Sequence, residues 1–414
     1  MKVLFRNAAI YDEGVMKKAD MLLSGATLSV FNGNIGEGIS IFDNTVILPG
    51  FCDVHVHFRE PGFSYKETME TGSLAAARGG YTAVCTMPNL SPAPDSKENL
   101  KLQLDRIKEG ARIAVHPFGT ITKGELGAEL SDMEDIAEDV IGFSDDGRGV
   151  QSEDMMLAAM KKAKALCLPI SAHCEDNSLL FGGYIHAGEY AKAHGHRGIS
   201  SESEYAPIKR DIGLVEKTGV DYHVCHISTK ESVRLIREAK SRGVNITCET
   251  GPHYLLLDDT ALMEDGRFKM NPPLRSREDR EEMVRGLLDG TVDMIATDHA
   301  PHSAEEKARG LERSAMGVVG LETAFPLLYT NFVKTGKMSL ERLVELMSKN
   351  PRKRFNIDSD PGFTVFELSE PYEINPEDFA SKGKATPFEK ETVYGKCLLT
   401  VYEGKVVYMD NKMI

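Results

Sequence analysis

The feature that most constrains the fold is a unit repeated eight times along the chain. Each unit has a short β-branched or apolar run, a few polar residues, and a longer helical pattern closed by glycine. Apolar runs of this length suit parallel strands buried on both faces, and their alternation with helices is typical of βα units. The runs are residues 51–57, 81–86, 112–118, 140–144, 169–173, 221–226, 244–249 and 292–297.

Eight such units favour a (β/α)₈ barrel of the α/β class. The alternative is an open doubly wound sheet, which would place a glycine-rich phosphate-binding turn after its first strand. No such turn follows residues 51–57. At 414 residues, the chain is long enough for one large barrel with a smaller companion domain.

Two of the intervening helices carry start and stop signals. Asp95 or Ser96 is expected to cap a helix that ends near Gly110. The sequence Ser-Thr-Lys-Glu at residues 228–231 matches a capping box that starts at Ser228, before a helix that Gly243 would stop.

Both ends of the chain have the pattern of short β-hairpins with Gly and Asn turns. The alternating segments are 2–9, 21–30 and 39–48 at one end and 364–368, 397–402 and 405–408 at the other. Neither end would bury much apolar surface alone. We therefore expect a small β-sandwich domain built from residues 1–48 and 356–414, and a barrel domain at residues 49–355.

Charge and cysteine content limit the functional classes. The chain has 49 Lys and Arg against 63 Asp and Glu, a net charge of −14, so there is no electrostatic case for binding nucleic acid or anionic membranes. No apolar stretch approaches the roughly 20 residues of a membrane-spanning helix, and the charged N-terminus is no signal peptide. Seven cysteines without a CxxC pair predict reduced, buried thiols in a cytoplasmic protein.

Potential metal ligands lie at the carboxyl ends of the predicted strands, where barrels place their functional side chains. His55 and His57 are two residues apart on one strand, so both imidazoles can reach one metal. The other strand ends carry Asp145 and Asp146, His173, His226 and Asp298. Four histidines and two strand-end carboxylate positions, Asp145 or Asp146 and Asp298, suit two divalent cations, most simply zinc, with a bridging carboxylate and open positions for water.

Each of these residues also has a less specific explanation. A lone strand histidine such as His226 is more often hydrogen-bonded in the core than bound to a metal. An H-x-H pair alone favours metal binding and a structural role about equally. The coincidence of all the strand-end ligands favours the metal site. His253 is ambiguous. The histidines without a matching position, assigned to surface or structural roles, are His116, His186, His194, His196 and His223.

Four segments resemble class I dihydroorotases of the amidohydrolase superfamily. They are residues 53–62 (DVHVHFREPG), 86–89 (TMPN), 271–275 (NPPLR) and 297–302 (TDHAPH). The H-x-H pair marks the superfamily, whereas Arg59 and the TMPN and TDHAPH runs are specific to this branch. The resemblance implies reversible, zinc-dependent cyclisation of N-carbamoyl-L-aspartate to L-dihydroorotate in pyrimidine biosynthesis.

The resemblance also implies a ligand set and a proton carrier. One zinc ion would lie on His55, His57 and Asp298, another on His173 and His226, with Asp146 as the bridge. Hydantoinases and dihydropyrimidinases place a carboxylated lysine at this bridge. The choice of Asp146 over Asp145 rests on its spacing to His173. Asp298 would be the general acid/base that passes a proton to the leaving ring nitrogen.

The substrate contacts implied by the resemblance fit a small cyclic imide that bears a carboxylate. A guanidinium binds a carboxylate through two parallel hydrogen bonds, and asparagine offers both donors and acceptors to an amide edge. A surface ion pair with Glu60 is the weaker alternative for Arg59. The implied contacts are His57, Arg59, Asn89, Asn271, His302 and the backbone of Met316 and Gly317.

Two segments and the assembly state need separate expectations. Residues 350–355 (NPRKRF) are more basic than the Asn-Pro-Ala pattern expected after the last barrel helix. Because this segment lies away from the predicted mouth of the barrel, we expect the difference to affect packing or assembly and not the chemistry. Residues 310–320 contain glycines beside the site, where a mobile covering loop would be useful. The resemblance also suggests a homodimer and an association with aspartate carbamoyltransferase.

Two other functions remain open. One is a related cyclic amidase, such as a hydantoinase or allantoinase, which Asp146, Arg59 and Asn89 disfavour. The other is a catalytically silent scaffold, which would be expected to have lost metal ligands. This chain retains all of them.

Overall fold

The computed structural model describes residues 2–34 and 38–413. Its strands are β1 Lys2–Asp12, β2 Val15–Ser24, β3 Thr27–Val30, β4 Ser40–Phe42, β5 Thr45–Pro49, β6 Phe51–Val56, β7 Tyr81–Thr86, β8 Ala114–Pro117, β9 Gly119–Thr120, β10 Phe143–Ser144, β11 Ile170–Ala172, β12 Ile185–His186, β13 Gly198–Ile199, β14 Tyr222–Val224, β15 Ile246–Thr250, β16 Met294–Ile295, β17 Phe363–Glu367, β18 Tyr372–Glu373, β19 Thr392–Val393, β20 Lys396–Tyr402 and β21 Lys405–Met409.

The α-helices alternate with the central strands. They are α1 Met69–Arg78, α2 Lys97–Gly110, α3 Met133–Ile136, α4 Glu153–Ala165, α5 Glu189–His194, α6 Glu202–Thr218, α7 Lys230–Ser241, α8 Pro252–Leu256, α9 Arg277–Asp289, α10 Ala304–Lys307, α11 Gly310–Arg313, α12 Ala324–Leu328, α13 Leu340–Val344 and α14 Asn350–Arg354. None of the helices in the described ranges is long and apolar enough to cross a membrane.

The central strands form a parallel α/β barrel, as the repeated units predict. Strands β6, β7 and β8 pair in parallel, and β9, β10, β11, β14, β15 and β16 form a second parallel series. The two series meet where the Phe118 N–H donates to the Thr86 carbonyl at 3.0 Å. On the other side, the His57 N–H donates to the His299 carbonyl at 2.9 Å and closes the barrel.

The predicted helix caps are partly confirmed. Ser96 caps α2, since its side chain accepts a hydrogen bond from the Asn99 N–H. The assignment of Ser228 as the start of a capping box is wrong, because Thr229 is the N-cap of α7 and accepts from Ser232. The Ser228 hydroxyl instead donates to the buried carboxylate of Glu204.

The two ends of the chain form one mixed sheet from β1 to β5, β17, β20 and β21. Strand β5 joins the ends, because it pairs in parallel with β1 and antiparallel with β17. Buried side chains such as Phe5, Leu23 and Leu399 give this sheet a core of its own. The predicted terminal sandwich is thus a single connected sheet. The limits 1–48 with 356–414 and 49–355 stay a prediction, and residues 1 and 414 lie outside the described ranges.

Residues 21–30 form a hairpin, as the alternating pattern with glycine turns predicts, because a turn at Gly25, with φ of +65°, separates the antiparallel strands β2 and β3. The prediction that every cysteine is buried is wrong. All seven cysteines are free, but Cys167 is exposed and only the other six are buried. Cys167 has a positive φ of +57° in the turn after α4, which leaves its side chain at the surface.

Candidate metal centre

The six predicted metal ligands come together at the carboxyl end of the barrel. The barrel topology explains the convergence, since each ligand lies at or just after the end of a parallel strand. His55 lies in β6, and His57, Asp146, His173, His226 and Asp298 follow the ends of β6, β10, β11, β14 and β16. All six are buried.

Asp146 is the centre of this cluster. Its Oδ1 lies 3.3 Å from His55 Nε2, 3.5 Å from His226 Nε2 and 3.7 Å from His173 Nδ1. Its Oδ2 lies 3.5 Å from His57 Nε2. A single carboxylate therefore faces histidines from both halves of the predicted site, which is the geometry a bridging ligand requires.

The neighbouring Asp145 is turned away from this cluster. Its Oδ1 accepts hydrogen bonds from the backbone N–H groups of Ile121 at 2.8 Å and Thr122 at 3.0 Å. These contacts hold the segment after β9 against the end of β10. Of the two candidates, the geometry favours Asp146 as the bridge.

Asp298 occupies the opposite side of the first histidine pair. Its Oδ1 is 3.0 Å from His57 Nε2 and 3.6 Å from His55 Nε2. Burial acts to raise the pKa of Asp298, but His57 and His55 outweigh it and hold the pKa below its usual value. The same balance, dominated by His55 and His226, holds the pKa of Asp146 well below its usual range. Both carboxylates are therefore anionic acceptors at neutral pH.

Two of the predicted ligands have a backbone conformation that L-residues rarely adopt. The φ of His226 is +29° and that of Asp298 is +47°. Positive φ at a residue with a side chain costs roughly 1–3 kcal/mol and is concentrated at functional sites. Neighbouring contacts hold both residues, for example from the His226 N–H to Glu249 Oε1 at 3.3 Å.

The donor set fits metal ions. Two groups, His55 with His57 and Asp146, and His173 with His226 and Asp146, have ligand atoms within 4.8 Å of one another. The buried His55 Nε2 and Asp146 Oδ1 lie 3.3 Å apart without hydrogen-bond geometry, and neither has a hydrogen-bond partner among the described residues, although such atoms are normally bonded. Imidazole nitrogens and carboxylate oxygens are ligands that zinc and related cations prefer.

A third group, His55 with Cys225 and Glu249, also has ligand atoms within 4.8 Å of one another. Glu249 Oε1 lies 2.7 Å from His55 Nδ1 within the group, Glu249 Oε2 lies 3.0 Å from His223 Nε2, and Cys225 Sγ lies 3.1 Å from the Ser171 hydroxyl. These atoms are therefore engaged with protein groups, on the side of His55 that faces away from Asp146.

Arg59 is a buried cation without an acidic partner. In the described part of the chain, no carboxylate lies within 4 Å of its guanidinium, whose Nε donates to the Pro301 carbonyl at 3.3 Å. The suggested ion pair with Glu60 does not form, because the Glu60 carboxylate accepts from the Met69 N–H at 2.7 Å. Burial lowers the pKa of Arg59 to about 10, so it remains charged and available to an anion.

Asn89 and His302 lie beside this arginine. Asn89 Oδ1 is 2.9 Å from His57 Nδ1 and 3.5 Å from Arg59 Nη1. His302 Nε2 donates to the Met316 carbonyl at 2.8 Å, and the Lys66 ammonium donates to His302 Nδ1 at 3.2 Å. Arg59, Asn89 and His302 therefore lie close together beside His57, and their role as substrate contacts stays a prediction.

The other implied substrate contacts are arranged differently. Asn271 lies beside Glu175, near His173, and its buried Oδ1 has no partner. The Gly317 N–H donates to the Lys269 carbonyl at 3.0 Å, and the Gly317 carbonyl accepts from Lys307 at 2.7 Å. The Gly317 backbone groups and the Met316 carbonyl are therefore engaged within the segment beside the mouth.

Sequence reasoning missed Glu249 and undervalued His223. Glu249 ends the predicted seventh strand, so the same strand-end criterion would have found it. His223 was assigned to a surface or structural role, and it is fully buried against Glu249. His253 remains ambiguous, since it is buried, its pKa is lowered to about 4 by burial, and its Nε2 has no partner.

Solved structures share this fold over nearly the whole chain. The L-hydantoinase from Arthrobacter aurescens superposes with a TM-score of 0.83 at 24% identity, over 98% of this chain and 96% of its own. The dihydropyrimidinase from Brevibacillus agri gives 0.82 at 23% identity, over 99% and 95%. The fold and the site together define an α/β barrel with a candidate metal centre at the carboxyl ends of its strands.

Sequence relatives narrow this class. Residues 44–232 match the family described as dihydro-orotase-like. Dihydroorotases from Fusobacterium nucleatum, Staphylococcus epidermidis and Bacillus cytotoxicus are 50%, 48% and 46% identical over 100%, 99% and 100% of this chain, and over 100% of each relative. The chain belongs to the dihydroorotase family.

Proposed function

We propose that this protein is a class I dihydroorotase, an enzyme that interconverts N-carbamoyl-L-aspartate and L-dihydroorotate in pyrimidine biosynthesis. The full-length identity to dihydroorotases supports the reaction. The observation that carries the proposal is Asp146, one buried carboxylate facing four histidines where hydantoinases are expected to place a carboxylated lysine.

We assign the metal centre to two zinc ions. His55, His57 and Asp298 would hold one, His173 and His226 the other, and Asp146 would bridge them. When bound, the ions supply Lewis acidity at the ring carbonyl and at the attacking water. Bound ions would also compensate the negative charge of the buried carboxylates Asp146 and Asp298, which lie near the cation Arg59.

Asp298 carries the proton in this proposal. Its low pKa keeps it ionised, so it can accept a proton from the attacking water and deliver it to the departing ring nitrogen. In the direction of ring closure, Asp298 removes the proton from the carbamoyl nitrogen and returns it to the leaving oxygen. One residue therefore serves both directions, as a reversible reaction requires.

Arg59 binds the substrate carboxylate, and Asn89 assists it. Because Asn89 Oδ1 is occupied by His57, its amide NH₂ is free to donate to the substrate. Asn271 and His302 complete the contacts with the ring. The backbone of Met316 and Gly317 would close over the pyrimidine, which requires some of its present hydrogen bonds to be exchanged.

The test is hydrolysis of L-dihydroorotate by the purified protein beside hydantoin, dihydrouracil and allantoin, before and after chelation with zinc add-back. Selective turnover of dihydroorotate that zinc restores is expected. Preference for another ring would make the protein a different cyclic amidase and overturn the roles of Arg59 and Asn89. A zinc-loaded protein inactive on all four would favour the scaffold.

The family resemblance extends the proposal to assembly and location. We propose a cytoplasmic homodimer that can associate with aspartate carbamoyltransferase. Light scattering of the purified protein, alone and mixed with that enzyme, tests both associations. The mass of a monomer alone, and no heavier species in the mixture with the carbamoyltransferase, would contradict both associations.

A further inference from the structure

A fully buried carboxylate lies behind the metal centre, on the side of His55 that faces away from Asp146. Glu249, the next-to-last residue of β15, has no solvent exposure. Its Oε1 is 2.7 Å from His55 Nδ1, while the other ring nitrogen, Nε2, is 3.3 Å from Asp146. The imidazole of His55 is therefore held between two carboxylates, of which only Asp146 belongs to the predicted ligand set.

The second oxygen of Glu249 is fixed by the neighbouring strand. Its Oε2 lies 3.0 Å from His223 Nε2, and His223 Nδ1 lies 2.8 Å from the Thr247 hydroxyl. His223 and Thr247 are opposite each other in the register of β14 and β15. The carboxylate is thus anchored by side chains that the barrel itself aligns.

Glu249 also contacts the other half of the centre. Its Oε1 accepts a hydrogen bond from the backbone N–H of His226 at 3.3 Å, where the chain has the rare positive φ of +29°. One carboxylate therefore holds the side chain of a ligand assigned to one ion and the backbone of a ligand assigned to the other.

We propose that Glu249, anchored by His223, is a positioning residue that couples the two halves of the metal centre. An ionised carboxylate can only accept hydrogen bonds, so it places the hydrogen of His55 on Nδ1 and leaves the lone pair of Nε2 for the metal. A carboxylate behind a histidine ligand also raises the ligand's basicity. The inference rests on the proposed metal centre and adds a residue that does not touch metal or substrate.

The test compares zinc binding by the full-length protein and three variants, with a chromophoric chelator as competitor. Glu249→Met removes the acceptor, and we expect about 100-fold weaker zinc binding. Glu249→Gln keeps one acceptor oxygen for His55 without the charge, and we expect about 10-fold weaker binding. His223→Gln leaves Glu249 in place but loosens its anchor, so its effect should be smaller than that of Glu249→Gln.

A matched control separates positioning from the loss of any buried carboxylate. Asp211 is also buried, and it accepts hydrogen bonds from Arg210 at 2.7 Å and from the Tyr222 hydroxyl at 2.6 Å, with no contact to a metal ligand. Asp211→Asn should retain wild-type zinc affinity even where it lowers stability. Its zinc affinity falling as far as that of Glu249→Gln would overturn the inference.

Two further readouts respond to ligand geometry. The visible spectrum of the Co²⁺-substituted protein should change in Glu249→Gln and stay unchanged in Asp211→Asn. The difference in melting temperature between zinc-loaded and metal-free protein should shrink in Glu249→Gln, whereas a purely structural role would lower both temperatures equally. Glu249→Gln preserves side-chain shape, so it provides the test if Glu249→Met does not fold.

The outcomes distinguish this inference from the proposed reaction. Wild-type protein that binds zinc and turns over dihydroorotate, beside a folded Glu249→Gln variant with equal affinity and an equal cobalt spectrum, would overturn only the positioning role. Wild-type protein that binds zinc without turnover, beside a weakened variant, would overturn the reaction and support the positioning role. Absence of zinc binding by the wild type would overturn both.

Discussion

Charged side chains are paired differently at the two ends of the barrel. At the amino end, Lys240 Nζ is 2.6 Å from Asp293, and Arg354 Nη1 is 3.1 Å from Asp221 while its Nη2 donates to the Tyr222 carbonyl at 2.8 Å. At the carboxyl end, the buried carboxylates face imidazoles, and Arg59 has no acidic partner among the residues that the structure describes. The same strands connect both ends, so the difference is not imposed by the fold.

The contrast separates groups that stabilise the barrel from groups kept for chemistry. Buried charge is costly unless it is paired or well hydrogen-bonded, so a buried cation with weak partners, such as Arg59, is a candidate for binding an anion. Perturbed titratable groups of this kind are concentrated at functional sites. The basic segment 350–355 belongs to the first class, since Arg354 is paired with Asp221 and the buried Arg352 donates to the Thr82 hydroxyl at 2.9 Å and to the Ser359 carbonyl at 3.3 Å.

The largest expected effect follows from removing the proton carrier at the carboxyl end. Asp298→Asn should lower kcat for dihydroorotate by about 10²–10⁴-fold, because an amide cannot accept the proton. Circular dichroism and the melting temperature should show a folded protein. Near-normal turnover in a folded variant would remove Asp298 from the mechanism.

The unpaired cation is the next test of the contrast. Arg59→Gln should lower kcat/KM by about 100-fold, mainly through KM, because a charge-assisted pair with the substrate carboxylate is lost. Arg59→Lys should recover part of the loss, since lysine keeps the charge without the planar fork. A KM unchanged in both variants would show that the substrate carboxylate binds elsewhere.

Metal removal should reduce stability by about as much free energy as Arg59→Gln removes from kcat/KM. Zinc at about 100-fold above its dissociation constant should stabilise the fold by about 2.7 kcal/mol, because it binds the folded site. Chelation followed by zinc add-back, monitored by thermal unfolding and activity together, measures this effect. A melting temperature insensitive to zinc would contradict a metal site at the barrel mouth.

A substitution at the amino end should lower stability and leave catalysis unchanged. Lys240→Met removes a partly exposed ion pair and a hydrogen bond to the Thr291 carbonyl, so it should cost about 1 kcal/mol of stability. Its kcat and KM should remain those of the wild type. A large loss of turnover without unfolding would show that the two ends are coupled.

The same contrast explains what the sequence could predict. Strands buried on both faces leave continuous apolar runs, so the sequence predicts the barrel strands and the candidate ligands at their ends. The contact of Glu249 with His55 and His223 was missed because it depends on which residues face each other across three strands. The choice between Asp145 and Asp146 likewise depends on the hydrogen bonds that Ile121 and Thr122 donate to Asp145. Residue spacing along one strand cannot reveal these contacts with the segment after a neighbouring strand.

The smallest effect concerns the pH dependence of the mouth. Burial, with Arg59 and Lys66 nearby, lowers the pKa of His302 to about 3 in the folded protein. Between the usual histidine pKa of about 6.5 and that value, the unfolded chain binds a proton that the folded chain does not, so stability is full above pH 6.5 and falls as the pH decreases.

His302→Gln should remove this dependence, because glutamine can still donate to the Met316 carbonyl and does not titrate. The wild type should lose about 1 kcal/mol more stability than the variant between pH 7.5 and pH 5.5. Denaturant unfolding of both metal-free proteins measures the difference, since His186 and His253, whose pKa values are each lowered to about 4, contribute equally to both. Parallel pH curves would mean that the pKa of His302 is the same in the folded and unfolded chains. His302 would then be protonated in the fold below about pH 6.5, which the hydrogen bond donated by Lys66 to its Nδ1 contradicts.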